Sequence, residues 1–127
     1  MKSLVLNISK RDVEFVEKSI NEKLEQIKGF VSLKVTSNGN NTIAVILYGD
    51  EGEAVVSNAR VKIVEFPITN IEEAQNMIDK ALETLVITSV EPICTIDMNR
   101  VVIIYDADKS AQNDSEGGWY NKIAPYL

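Results

Sequence analysis

Two hydrophobic periods take turns along the chain, and the places where one gives way to the other mark its elements. Val31, Leu33 and Val35 alternate with Ser32, Lys34 and Thr36, the period of two expected of a strand with one buried face. Residues 43–48 are apolar throughout and predict a strand inside a sheet rather than at its edge. Asn38-Gly39 lies between them and predicts a hairpin, because both central residues of a type I′ turn need positive φ. Residues 4–8 predict a further strand. Ala59, Val61 and Ile63, alternating with Asn58, Arg60 and Lys62, predict another, closed by Phe66-Pro67 because proline cannot donate to a ladder. Residues 86–96, bent at Glu91-Pro92, and residues 101–105 predict a second hairpin around Asp97-Met98-Asn99.

Elsewhere the period lengthens to that of a helix. Val13, Val16, Ile20, Leu24 and Ile27 recur at spacings of three and four, while Glu14, Glu17, Lys18, Glu22 and Lys23 fall mostly off that stripe. Ser9 with Asp12 predicts the N-cap of this helix, and Gly29 its left-handed stop. Ile71, Ala74, Ile78, Leu82 and Leu85 mark a second amphipathic helix, capped by Thr69 with Glu72.

Sliding the chain by 58 positions brings Val13, Ile20 and Leu24 onto Ile71, Ile78 and Leu82. Each helix is followed by a hairpin that ends in a tyrosine, Tyr48 or Tyr105, with acidic residues just beyond. This pattern predicts a single α+β domain over residues 1–127 built as a tandem βαββ duplication, with units at 1–50 and 54–108 and an aromatic tail at 117–127. The expected architecture is a two-layer sandwich, a mainly antiparallel sheet of about six strands with two helices on one face. The outward positions Ser32, Lys34 and Thr36 are polar, whereas Ala44, Ile46, Val102 and Ile104 lie in strands apolar on both faces. A half-apolar open face predicts a cover, either the tail or a second copy, and so a homo-oligomer.

Composition narrows the chemistry. There is no histidine, which removes the commonest general base and zinc ligand and excludes Ser/His/Asp and Cys/His nucleophile systems. No glycine-rich phosphate loop is present, and neither a cofactor nor a metal is expected. Cys94, the only cysteine, precludes an internal disulfide and reads as a buried, inert thiol. A net charge of −6, with Arg11, Arg60 and Arg100 scattered, argues against nucleic-acid and membrane-surface partners. With no long apolar run and no signal-peptide core at the N-terminus, the expectation is a cytoplasmic protein. The excess of lysine over arginine, with abundant isoleucine and asparagine, points to AT-rich coding DNA and a bacterial or phage source.

Candidate sites follow from what remains. Asp50, Glu51 and Glu53 form an acidic turn that suits a basic protein partner, with Tyr126 as an aromatic anchor. Arg60, Lys62 and Arg100 are candidates to hold a small anionic ligand, a metabolite or nucleotide whose base stacks on Trp119 or Tyr120. Residues 106–116 place oxygen side chains in a calcium-loop-like register. They carry Ala111 where the turn glycine belongs and Gly117 where the bidentate glutamate belongs, so they read as a solvated polar loop. The leading expectation is a non-catalytic interaction protein, such as an inhibitor or immunity-like protein with an acidic surface. A homo-oligomeric small-ligand binder comes second, and a carboxylate-dependent enzyme last.

Overall fold

The computed structural model describes residues 1–113 apart from Gly39, Glu51, Ile68, Ile96 and Asp97. Along the chain lie β1 (Lys2–Ile8), α1 (Val13–Glu25), β2 (Phe30–Asn38), β3 (Asn41–Tyr48), β4 (Ala59–Glu65), α2 (Ile71–Leu82), β5 (Ile87–Thr95), β6 (Met98–Asp106) and α3 (Ala107–Asn113). The class is α+β, with six strands, all antiparallel to their neighbours. They divide into two three-stranded sheets, ordered β1-β3-β2 and β4-β6-β5, instead of forming one continuous sheet. In each half the last strand to be made takes the centre, which explains why β3 and β6 are apolar on both faces.

The two halves correspond in detail. By register against the closing tyrosines, Lys2 on Tyr48 and Arg60 on Tyr105, β1 matches β4 at 58 positions, as the start of α1 matches that of α2, and the β2–β3 hairpin matches β5–β6 at 57. Each hairpin carries a register irregularity at the same place, skipping Val31 in one and Thr88 in the other. The bend of the second hairpin therefore falls at Thr88 and not at Glu91-Pro92. Pro92 pairs with Val101 within the ladder, tolerated because β5 is an edge strand.

Local chemistry sets the ends of the helices, one to three residues from where the sequence places them. Asp12 caps α1 in place of Ser9, accepting from the backbone N–H groups of Glu14 (2.8 Å) and Phe15 (3.2 Å). Asn70 caps α2 in place of Thr69, accepting from Glu73 N–H at 3.0 Å. The first helix stops at Glu25, before Gly29. Gly29 is left-handed (φ 79°) for a different reason. Three chain segments converge there, with Gly29 N–H bonded to the Ser57 carbonyl and Gly49 N–H to the Gly29 carbonyl, and a Cβ at Gly29 would lie 2.0 Å from the Gly49 oxygen. Beyond β6 the expected polar loop is helical over its described part: α3 runs Ala107–Asn113, and Asp106 accepts from Lys109 N–H at 3.0 Å as its cap.

The main core forms where the two sheets meet across α1. Val16, Ile20 and Leu24 pack with Ile8, Leu33, Val35, Ala44 and Ile46 of the first sheet and with Ala59, Val61, Ile63, Ile93, Val102 and Ile104 of the second. Each fully buried aliphatic side chain of this group contributes about 1.5–3 kcal/mol. Val64, Val101 and Ile103, on the opposite face of the second sheet, pack with Phe66, Ile78, Ala81, Leu82 and Leu85 from α2 and the turns around it. The two helices thus lie against opposite faces of the second sheet, because alternate residues of β6 face opposite ways.

Candidate functional site

Among the described residues, three of the four sheet edges have a neighbour along them, β4 through hydrogen bonds to its backbone and β2 and β5 through their side-by-side approach. β4 is sealed by α1: Asn21 Nδ2 donates to the Val61 carbonyl (3.0 Å), Val61 N–H donates to Asn21 Oδ1 (2.8 Å), and Ile63 N–H donates to Glu17 Oε2 (3.0 Å). Asn21 behaves toward this edge as a neighbouring strand would, offering one donor and one acceptor. β2 and β5 lie side by side, bridged by Lys34 Nζ to Glu91 Oε1 at 2.7 Å. β1 is the exception. Among the described residues, no hydrogen bond from another element reaches its free side.

Among the described residues, no element covers the outer face of the first sheet. Ser3, Val5 and Asn7 of β1, Ile43, Val45 and Leu47 of β3, and Ser32, Lys34 and Thr36 of β2 share it by register. Val5 is 65% exposed, and Ile43, Val45 and Leu47 are half-buried. The corresponding face of the second sheet carries Val61, Ile63, Val102, Ile104 and Ile93, all buried in the main core against α1. Ala44, Ile46, Val102 and Ile104, expected at the open face, are instead interior.

At the end of the molecule where β1, β4 and α3 begin lies an open cleft of about 1460 Å³. Lys2, Lys28, Arg60 and Lys109 line it, together with Glu25, Asp50, Glu53, Asp106 and Asp108. Arg60 Nη1 is steadied by Asn58 Oδ1 (2.6 Å) and the Ala59 carbonyl (2.7 Å), and Asn58 donates in turn to Asp108 (3.2 Å). The N-terminal amine sits 3.1 Å from Glu53. Its hydrogen bond, reinforced by the Asp50 backbone N–H, holds the Glu53 carboxyl below the ordinary range. Next to Arg60 on β6 is Tyr105, whose phenol is pushed up by burial first and by the Glu17 charge second, against the opposing pull of Arg60.

The ligand candidates read from the sequence separate here. Arg60 and Lys62 share a strand face, with Arg60 in the cleft and Lys62 exposed. Arg100 pairs at the far end of the same sheet, opposite Glu65, roughly 17 Å along the strand from Arg60. It is 5% exposed, bonds Glu65 through Nε at 2.8 Å and donates from Nη2 to the Arg11 carbonyl, tying the β1–α1 turn to the second sheet. Asp50 and Glu53 of the acidic turn lie on the cleft rim. Glu51, Trp119, Tyr120 and Tyr126 fall outside the described residues. So does the Cys94 side chain.

Glu17, Asn21 and Val5 carry the features that distinguish one sheet from the other, and none stood out in the sequence. The signal available was the correspondence between halves, which sets Val5 against Ile63 and Ser3 against Val61. Among the described residues, no group of three or more Asp, Glu or Cys side chains could hold a metal ion, and no helix is long and apolar enough to cross a membrane. No protein-family model, curated protein sequence or solved structure matches this chain.

Proposed function

We propose that this chain is a non-catalytic interaction protein whose contact surface is the outer face and free edge of its first sheet. The observation that carries this reading is an asymmetry within the molecule. The two sheets correspond in register, yet the face that is buried against a helix in the second has no cover in the first among the described residues, with Val5 65% exposed beside a strand edge that none of them pairs. An unpaired edge with an apolar flank is a template for another chain. The same reading takes the halves as a tandem duplication, supported by their shared strand order and matching irregularities. The acidic turn supports a basic partner less strongly, since Glu53 is already engaged by the amino terminus.

A photo-activatable cross-linker placed at Asn7, exposed on this face, tests the reading in expressing cells. A discrete covalent adduct with a protein, this chain or another, is the expected result, with none from a cross-linker at Thr84. Absence of any adduct from Asn7 and from Ser3 contradicts it.

The cleft favours a second reading, a small anionic ligand held by Arg60, because Asn58 and the Ala59 carbonyl fix that guanidinium at the cleft wall. Titration calorimetry with inorganic phosphate and with a nucleoside triphosphate tests it. Binding that disappears in Arg60→Ala supports this reading, and no heat with either ligand removes it.

A further inference from the structure

The chain holds both halves of one interface that it uses internally and leaves unmade at its ends. Inside the molecule, α1 lies against the face and edge of the second sheet. Val16, Ile20 and Leu24 are buried to 2% exposure or less there, and the ridge Val13, Glu17, Asn21 runs along β4, with Glu17 and Asn21 bonded to the Ile63 and Val61 backbone. The counterpart of that helix is α2, whose stripe at Ile78 and Leu82 packs on the second sheet alone among the described residues and is only half-buried. Its ridge Ile71, Gln75, Asp79 stands in solvent, with Ile71 67% exposed. The counterpart of β4 is β1, where Ser3 and Val5 occupy the places of Val61 and Ile63.

We infer that two copies associate head to tail, α2 of one covering the free edge and outer face of the first sheet of the next as α1 covers the second sheet within one chain. This inference rests on the proposed use of that face and names its occupant. Gln75 and Asp79 then accept from the Val5 and Ser3 backbone N–H groups in the manner of Glu17 and Asn21, and Ile71 lies along the apolar strip led by Val5. Charge does not oppose the contact: the outer face carries no acidic residue to repel Glu72, Glu73 and Asp79 of α2, and its Lys34 is already engaged by Glu91 of the same chain.

Two features make the contact weaker than its internal template. Ser3 and Thr36 stand where the second sheet has Val61 and Ile93, and Asp79 lacks the amide donor through which Asn21 reaches the Val61 carbonyl. A head-to-tail contact is heterologous, so it propagates to chains or closes into rings instead of stopping at a two-fold dimer.

Sedimentation velocity over a wide range of concentrations, with Val5→Asp and Ile71→Asp, tests this. Both positions are largely exposed, so both variants keep the wild-type thermal melt. The wild type should grow in mass with concentration, each variant alone should stay monomeric, and an equimolar mixture should form a one-to-one dimer that grows no further, since one sound face of each kind remains. Asp79→Asn, which restores the missing donor, should tighten wild-type association about threefold to tenfold. Continued association of Ile71→Asp alone overturns the head-to-tail arrangement while leaving the first sheet as the contact surface. A wild type monomeric at every concentration overturns self-association, and the adduct from Asn7 then tells whether the surface serves a foreign partner or none.

Discussion

At the scale of single residues, the polar side chains that matter most satisfy backbone. Asn21 answers both the donor and the acceptor of Val61 on an otherwise bare strand edge. Asn21→Ala should cost about 2 kcal/mol in urea unfolding, the sum of two such bonds, and Asn21→Asp, which keeps only the acceptor, should fall between. The two arginines divide in the same way. Arg100 is buried and held by the exposed Glu65 carboxylate and the Arg11 carbonyl, so Arg100→Ala should destabilise by about 1–3 kcal/mol, whereas Arg60→Ala, at the cleft wall, should stay within about 1 kcal/mol. Tyr105 carries a pH signature. Burial disfavours its phenolate in the folded chain, so the unfolded chain ionises first as pH rises through the ordinary tyrosine range, about 10. Stability is unaffected below that range and falls above it. Tyr105→Phe should remove that part of the alkaline loss, read as a smaller drop in the urea midpoint between neutral pH and pH about 10.5.

At the scale of elements, the close approach at Gly29 is the clearest structural constraint. Gly29→Ala should cost about 2–3 kcal/mol, since its Cβ meets the Gly49 carbonyl at 2.0 Å and its φ is positive. Gly49→Ala should cost less, because its nearest neighbour is the movable Glu53 side chain; thermal melts of the pair decide this. The elements themselves were legible wherever periodicity was strong. The stripe from Val16 to Leu24, the alternation from Val31 to Val35 and the central position of β3 all appear as read. Helix starts were less legible, because Ser9 and Asp12, or Thr69 and Asn70, are all competent caps and only the path of the preceding strand selects one. The helix α3 was hidden behind a superficial calcium-loop register, although Ala107, Lys109, Ala111 and Gln112 after Asp106 are good helix formers behind a good cap. The division into two sheets had no local signal at all, since it depends on α1 filling the space between them. For the same reason Glu17 and Asn21 resembled an ordinary solvent face.

At the scale of the whole molecule, two corresponding halves share one core, and the sharing is unequal. The second sheet has a helix on each face, while the first has a single covered face and the only strand edge left without a partner among the described residues. Hydrogen exchange followed residue by residue at low and high protein concentration examines this surface most directly. In dilute solution the Ser3 and Val5 amides should exchange far faster than those of Val61 and Ile63, which α1 holds, and on concentration the β1 amides should slow while those of β4 stay unchanged. Ser3 and Val5 amides already as protected as Val61 and Ile63 in the dilute monomer, or indifferent to every assembly the protein forms, would contradict a contact surface on the first sheet.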